Sequence, residues 1–309
     1  MKFSNDKMSN AKVQAEKIGG FAKRSTRNKW AEEHEELIRE LAPYPISYDV
    51  TATQTTGFSE FSYTEICGGM WLTTQSLELN CRLIDFASKQ DTDVDMVSEL
   101  EKILADKYTL NKIGEASDLK RVCFLPGHNL LDVASVEIIS RLAHENEDVF
   151  FKPHPITNDD AIRLIAKRVG WNKIIHKDIS GYEVLNSCDE VYTSSASEMA
   201  ITGTVLGKKI FNISNFFNEG SGTYYPFSRI LFKAQETSIE EARKKLNNIL
   251  ACKWSGILFP FHTDVEERTK AFYDKALELR ELYKPLAAPR GNIEQESKRV
   301  VNGQQQRHK

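Results

Sequence analysis

The sequence predicts an α/β protein whose C-terminal part is a doubly wound parallel sheet, with a smaller and less regular N-terminal domain. Short apolar runs recur between residues 119 and 235, amphipathic segments of helical spacing separate them, and polar turn residues stand at the junctions. Because strands that alternate with helices form βαβ units, this rhythm indicates a parallel sheet. The length of 309 residues favours two domains.

The elements of the sheet can be placed individually. Strands are predicted where β-branched and aromatic residues form short runs bounded by turns. Helices are predicted where apolar residues recur every three or four positions, with a polar cap before the helix and glycine after it. The five predicted strands lie around Val122, Val149, Ile174, Val191 and Ile210. The helices between them begin near Asp132, at Thr157 or Asn158, at Ser180 and at Glu198.

The flanking segments are predicted from composition and pattern. Residues 1–29 carry eight Lys/Arg against two acidic residues and are expected to be a basic, loosely ordered arm. Residues 30–118 combine a helix that stops before Pro43, a stretch of mixed pattern, and a helix over 94–107. After residue 235 we expect two helices within 236–286 and a disordered tail over 287–309.

Bulk composition excludes several classes of protein. The net charge of −3 provides no global basic field for nucleic acid or anionic lipid, although the basic arm leaves contact with nucleic acid or another polyanion open. The five cysteines show no Cys-x-x-Cys spacing, which argues against a disulfide framework and a zinc site. No secretory signal or membrane-spanning apolar segment is recognisable. A cytoplasmic protein without an integral membrane segment is the expectation.

The segment Phe151-Lys152-Pro153-His154-Pro155 places a cation and an imidazole at the end of a predicted strand. A proline on each side of His154 fixes the backbone and prevents the strand from continuing. Lys152 is expected to point to the same face as His154 and to supply a charge suited to phosphate. The alternative is a surface turn, in which the lysine is solvated and the histidine caps a neighbour.

A second segment, Ser194-Ser195-Ala196-Ser197-Glu198, follows the fourth predicted strand and opens a helix. Helix N-termini present unpaired N–H groups, and small hydroxylated residues let an anion approach them. Because the carboxyl ends of parallel strands share an edge, the serines are expected to meet His154 in one cleft. Ordinary helix capping is the alternative. Together the two segments predict a site for a phosphate-bearing ligand, a nucleotide or nucleotide-sugar.

Three other segments carry residues suited to this chemistry. The run Gly220-Ser221-Gly222-Thr223, after the last predicted strand, can close over a ligand, and a flexible linker is the alternative. Gly127 and His128 lie in a third loop of the same edge, where the glycine permits close backbone approach and the histidine can reach a sugar or phosphate; a plain turn is the alternative. Asp91, Asp93 and Asp95 have the spacing of a metal site, but they directly precede a helix, where acidic residues favour the helix dipole. We therefore expect no metal and no cofactor.

Lys-Pro-His-Pro after a strand, then Ser-Ser and a glutamate that opens a helix running into Gly-Lys-Lys-Ile-Phe, resembles the donor half of GT-B glycosyltransferases. The similar families are capsule-polysaccharide Kdo transferases, bacterial sialyl- and polysialyltransferases, and CDP-glycerol glycerophosphotransferases. The resemblance covers residues 119–235 and implies a Rossmann-like donor domain there, with an acceptor-side domain over 30–118. It implies that His154, Ser194 and Ser195 hold the phosphate and nucleotide of the donor, with Glu198 near the ribose.

The N-terminal part departs from the GT-B pattern, because residues 30–118 show few clear buried strands in place of repeated βα units. The acidic motif that supplies the general base in sialyltransferase-like members has no clear counterpart. Glu60, Glu65 and Asp85 are the candidates, and the sequence does not rank them.

The sequence thus predicts a metal-independent glycosyltransferase of GT-B type that takes a nucleotide-sugar as its donor substrate. The acceptor stays open between a glycan, a lipid and DNA. Two alternatives also stay open, a sugar-nucleotide epimerase and a non-catalytic nucleotide-binding or structural protein with a degenerate GT-B fold. The predicted catalytic residue is His154, and the predicted substrate-binding residues are Lys152, Ser194, Ser195, Glu198, Gly127 and His128.

Overall fold

The computed structural model of the chain describes residues 29–44, 46–48, 61–108, 119–127, 134–155, 157–215 and 219–283. The predicted arm, apart from Lys29, and the predicted tail over 287–309 lie outside these ranges. The described strands are β1 (Ile46–Tyr48), β2 (Phe61–Ile66), β3 (Gly69–Thr74), β4 (Arg121–Phe124), β5 (Val149–Lys152), β6 (Glu190–Thr193), β7 (Lys209–Asn212) and β8 (Ile257–Leu258). The described α-helices are α1 (Lys29–Leu41), α2 (Leu77–Ala87), α3 (Met96–Tyr108), α4 (Val136–Glu145), α5 (Asp159–Val169), α6 (Gly181–Asn186), α7 (Met199–Val205), α8 (Tyr225–Gln235), α9 (Ile239–Ala251) and α10 (Val265–Leu282).

The C-terminal sheet is parallel, with the strand order β5-β4-β6-β7. Its strands carry fully buried apolar residues, among them Val122, Val149 and Val191. Helices connect consecutive strands because parallel neighbours need a crossover connection. The chain moves outward from β4 to β5 and, after returning to the centre, outward in the other direction from β6 to β7. The predicted α/β class and four of the five predicted strands are confirmed.

The prediction of a strand around Ile174, the third in chain order, is wrong. Ile174 forms a single parallel bridge to Phe151, and the Ile175 N–H donates to the Phe151 carbonyl at 2.9 Å. A 3₁₀ turn over Trp171–Lys173 precedes this bridge, and a turn from His176 to Ile179 follows it. The two turns leave too few residues between them for a ladder. Ile174 therefore extends the β5 edge of the sheet without forming a strand.

The helices around this sheet begin and end at the predicted kinds of residue. Asn158 caps α5, since its Oδ1 accepts from the Ala161 N–H at 2.7 Å, and Gly170 ends α5 with a φ of 95°. Ser180 caps α6, as expected. The helix predicted from about Asp132 begins instead at Val136, capped by Ser135, and residues 128–133 lie outside the described ranges.

The N-terminal sheet is mixed, with the order β1-β2-β3-β8. β1 is parallel to β2, whereas β2–β3 and β3–β8 are antiparallel. Cys67 and Gly68 form the two-residue turn of the β2–β3 hairpin with φ values of 47° and 86°, the positive values that a type I′ turn requires. Gly69 must lack a side chain, because a Cβ there would lie 2.2 Å from the Leu258 carbonyl oxygen in β8.

The last helix returns to the N-terminal sheet. Phe272 and Tyr273 of α10 pack edge-on against Phe61, with ring centroids 6.1 and 5.0 Å from it. The Tyr273 hydroxyl donates to the Ile38 carbonyl in α1 at 3.3 Å. The last helix therefore packs on the region before residue 118. Helix α9, in contrast, packs against α3, α7 and α8 beside the parallel sheet.

A single apolar cluster joins the two sheets. It includes Ile66 and Trp71 from the N-terminal sheet together with Val122 and Val191 from the parallel sheet. Trp71 meets Phe227 of α8 edge-on, with a centroid distance of 4.7 Å. The two sheets therefore share one core. Among the described helices, none combines the length and the apolar character needed to cross a bilayer.

Candidate functional site

Three loops leave the carboxyl ends of neighbouring parallel strands at one edge of the sheet. Residues 125–127 follow β4, residues 153–155 follow β5, and residues 194–198 follow β6. The direction of winding reverses between β4 and β6, and adjacent loops diverge at such a switch point, which is where doubly wound sheets bind ligands. The two predicted motifs therefore lie at the same edge. Buried Gly127 is at this edge, and His128 lies outside the described residues.

His154 combines surface exposure with reduced hydration. Its side chain is exposed, yet its pKa is lowered to about 4, first because the surrounding protein removes hydration and second because the Lys152 ammonium is close. Glu198 acts in the opposite direction. The exposure and the reduced hydration fit together if the ring lies on the floor of an open cleft. His154 is accordingly neutral at pH 7, and one of its two ring nitrogens carries a proton.

Lys152 lies inside the protein rather than on the cleft surface. It is 2% exposed, and its Nζ donates to the carbonyls of Pro153 at 2.9 Å and Lys177 at 2.8 Å. Burial lowers the pKa of Lys152 to about 8, with Asp178 opposing the shift. The ammonium ties the His154 loop to the loop that follows Ile175. Its charge reaches His154 electrostatically, while a direct bond to phosphate stays a prediction.

The two serines differ in their surroundings. The Ser195 hydroxyl donates to the Glu219 carbonyl at 2.6 Å, and its backbone N–H donates to the Ser214 hydroxyl at 2.9 Å. Ser194 is fully buried, and its Oγ has no hydrogen-bond partner among the described residues. A buried hydroxyl without a partner carries a desolvation cost that a ligand can relieve. Of the pair, Ser194 is the residue with unused hydrogen-bonding capacity.

Glu198 connects the two sheets. Its Oε2 accepts the backbone N–H of Cys67 at 3.0 Å, and the Cys67 sulfur lies 3.7 Å from the Thr202 hydroxyl in α7. The side chain of Glu198 makes no capping hydrogen bond to α7. The carboxylate therefore faces the hairpin turn of the N-terminal sheet and the imidazole of His154, rather than its own helix.

The segment after β7 packs over Ser195, and it contains the glycine run Gly220-Ser221-Gly222 that the sequence singles out. The Tyr224 N–H donates to the Ser195 carbonyl at 3.1 Å, and the Tyr224 hydroxyl donates to the Glu65 carbonyl at 2.8 Å. A Cβ at Gly222 would lie 2.4 Å from the Ser195 Oγ. The run Gly220-Ser221-Gly222 in the sequence was the available signal, since glycine marks positions of close backbone approach.

The carboxylates considered from the sequence fall in different places. Asp95 caps α3, with its Oδ1 accepting from the Ser98 N–H at 3.0 Å, and Asp91 pairs with Lys244 at 3.2 Å. No group of three or more potential metal ligands occurs among the described residues. Of the candidate general bases, Glu60 lies outside the described ranges, Glu65 lies on β2, and Asp85 lies on α2.

Comparison of the sequence with protein-family models and with curated proteins finds no match. Among solved structures, the chain is similar to the KpsC β-Kdo 2,7 transferase of Thermosulfurimonas dismutans. The identity is 13%, the TM-score is 0.33, and the match covers 62% of this chain and 70% of that one. A similarity of this degree defines neither the fold nor the activity of this chain.

Proposed function

We propose that this chain is a glycosyltransferase with a GT-B-like arrangement, which holds a nucleotide-sugar donor at the carboxyl edge of its parallel sheet. The observation that supports the proposal is that the loops with Gly127, His154 and Ser194 follow the neighbouring strands β4, β5 and β6 at one edge of the sheet. The hairpin turn of the N-terminal sheet reaches the same edge through Glu198. At this place the hairpin turn of the N-terminal sheet meets the carboxyl edge of the parallel sheet. Such a site suits a donor on the side of the parallel sheet and an acceptor on the side of the N-terminal sheet.

The donor phosphate is held by hydrogen bonds more than by fixed charge. Neutral His154 donates one N–H, and Gly127 leaves room for the phosphate to approach the backbone. A rotation of the buried Ser194 side chain adds a hydroxyl that has no partner among the described groups. Lys152 contributes positive potential from beneath the loop. Binding of the anion raises the pKa of His154 from its low value, because an opposite charge favours the protonated form.

In the transfer step, the bond between the anomeric carbon and the phosphate oxygen breaks, and negative charge develops on the leaving phosphate. The His154 N–H stabilises that charge. Loss of one such donor typically lowers the rate by about 10²–10³. The acceptor oxygen bonds to the anomeric carbon, and its proton passes to a carboxylate of the N-terminal part, for which Glu65 and Asp85 are the described candidates. This scheme uses no metal ion, so we expect activity to be unchanged by EDTA.

A second candidate function is nucleotide binding without transfer. The observation in its favour is the N-terminal sheet, which is mixed and has two antiparallel pairings, in place of the repeated βα units of a GT-B acceptor domain. Both candidates need the same nucleotide site. They differ in whether sugar leaves the donor when acceptors are supplied.

The proposal is tested by thermal shift with CMP-, UDP-, CDP- and GDP-sugars on the wild type, His154→Ala and His144→Ala. His144 is an exposed residue in the last turn of α4, away from the site, and serves as the matched control. We expect at least one nucleotide-sugar to stabilise the wild type and the control, by about 2.7 kcal/mol at a concentration of 100 Kd. The shift should be smaller in His154→Ala. Equal stabilisation of all three proteins would place the nucleotide elsewhere.

A further inference from the structure

A cavity of about 430 Å³ lies outside the edge described above, between α2 and α8. Glu78, Arg82 and Asp85 line it from one face of α2, where their spacing of four and three residues aligns their side chains. Tyr225 and Arg229, four residues apart on α8, line the opposite wall. Its volume is within the range of about 300–1,000 Å³ typical of small-molecule sites.

The charged groups of the cavity balance one another. Arg82 pairs with Glu78 at 2.9 Å. Asp85 lies 4.0 Å from Arg229 and accepts a hydrogen bond at 2.7 Å from Lys89, which is outside the lining. Two guanidinium groups and two carboxylates give a lining of zero formal charge. All four side chains keep exposed surface, from 32% at the arginines to 48% at Glu78. The wall therefore offers both hydrogen-bond donors and acceptors, with no net preference for an anion or a cation.

The two arginines are positioned by the protein and still have unused donors. Arg229 Nη2 donates to the Cys81 carbonyl at 2.8 Å, and the Arg82 guanidinium stacks over the Tyr283 ring at 4.2 Å. The Nε–H of each has no hydrogen-bond partner among the described residues.

The apolar part of the lining completes the pattern. Leu77 and the Tyr225 ring present carbon surface beside the polar groups. A sugar ring has matching features, because its hydroxyl groups both donate and accept hydrogen bonds while its C–H faces pack against apolar and aromatic surface. Small ions and purely apolar molecules would leave one or the other half of this lining unmatched.

The cavity and the proposed nucleotide site share a wall. The Glu219 carbonyl accepts the Ser195 hydroxyl at 2.6 Å, and Gly220, the next residue, lines the cavity. Burial raises the pKa of Tyr225, and the charge of the nearby Glu219 carboxylate acts in the same direction. One short segment, the 3₁₀ turn over Glu219–Ser221, thus stands between the two sites.

We propose that the cavity between α2 and α8 binds a neutral, polyhydroxylated ring of the size of one sugar unit. The ligand class is inferred from the lining alone. The further assignment, that this sugar is the end of an acceptor glycan, rests on the proposed function.

The test is saturation-transfer NMR and calorimetry on the full chain, with glucose, galactose and N-acetylglucosamine as neutral probes and glucuronate and glucosamine as charged ones. Neutral sugars should bind in the millimolar range and more tightly than the charged probes. Glu78→Gln and Asp85→Asn should each weaken binding by about fivefold, as loss of one hydrogen bond predicts. Glu99→Gln is the matched control, since Glu99 has a similar exposure of 45% and an equivalent helical ion pair with Lys102.

Three results would overturn the cavity assignment: no neutral sugar binds, a charged probe binds more tightly than the neutral ones, or both folded cavity variants bind like the wild type. Failure of the proposed function would be recognised by different measurements. His154→Ala should leave binding of neutral sugars unchanged, and Glu78→Gln should leave nucleotide binding unchanged. Sugar binding without any nucleotide binding would retain the cavity and remove the transferase.

Discussion

The backbone N–H of Cys67 donates to Oε2 of Glu198 at 3.0 Å, across the boundary between the two sheets. One partner is in a hairpin turn with a positive φ, and the other directly precedes α7. Through this contact, a carboxylate that follows a strand of the parallel sheet holds the hairpin turn of the N-terminal sheet. It also holds Glu198 near His154, so the arrangement of the site depends on the packing of the two sheets.

Replacement of Glu198 should therefore destabilise the protein without any loss of helix capping. Glu198→Ala removes the acceptor of the Cys67 N–H, and we expect a loss of about 1–2 kcal/mol in the free energy of unfolding, because the hydrogen bond is charge-assisted but partly exposed. Glu198→Gln keeps an acceptor oxygen and should lose less. Urea denaturation measures both. Glu145→Ala, at an exposed position on α4, is the control and should stay within about 0.5 kcal/mol of the wild type.

The close packing of the segment after β7 against Ser195 can be tested by substituting two of its glycines. In Gly222→Ala the new Cβ would lie 2.4 Å from the Ser195 Oγ and 2.6 Å from the Ala196 N, so backbone must move. We expect a loss of about 1–3 kcal/mol in stability. In Gly220→Ala the nearest atom is the Leu77 Cδ2 at 3.6 Å, an ordinary contact. That variant should match the wild type, and equal melting temperatures for both variants would contradict the described packing.

The titration of His154 gives an independent measure of its surroundings. Lys152 lowers the pKa of His154 and Glu198 raises it. Lys152→Met should accordingly raise this pKa, and Glu198→Gln should lower it further. Imidazole carbon shifts followed by NMR from pH 3 to 8 report both values. Lys177→Met, which removes the ion pair of Lys177 with Asp159, should leave the titration unchanged.

The buried His262 should make stability depend on pH. Its Nδ1 accepts the Phe259 N–H at 3.2 Å, and burial, together with nearby Arg268, lowers its pKa to about 3. As the pH is lowered from 6.5 to 5, the unfolded chain takes up a proton at this histidine and the folded chain does not. The free energy of unfolding therefore decreases as the pH decreases.

His262→Asn keeps an acceptor for the Phe259 N–H but does not titrate in this range. The wild type should lose about 1.5 kcal/mol more than this variant between pH 6.5 and 5, measured by urea denaturation at both values. Parallel losses in the two proteins would show that His262 does not retain its neutral form on folding.

The parallel sheet could be predicted because each of its strands contains a short apolar run and several of its helices have local caps, such as Asn158 and Gly170. The N-terminal sheet could not, because all six residues of β3, including Thr73 and Thr74, are buried, which removes the polar–apolar alternation. The buried Ser62 and Thr73 satisfy each other across the hairpin at 2.6 Å. The burial of the Lys152 ammonium could not be predicted either, because its hydrogen bond is to the carbonyl of Lys177 in another loop.

The pairing of β3 with β8 has a consequence for the order of folding during synthesis. Strand β3 and the Phe61 ring emerge from the ribosome early. Strand β8 and the aromatic residues of α10 that cover them emerge only after the strands of the parallel sheet. The nascent N-terminal segment therefore holds an unpaired strand edge, which is a template for aggregation. Strands β4 to β7 and the helices between them emerge earlier than β8. The half of the protein that is made second is thus expected to fold first, and the half that is made first to depend on chaperones until β8 and α10 have been synthesised.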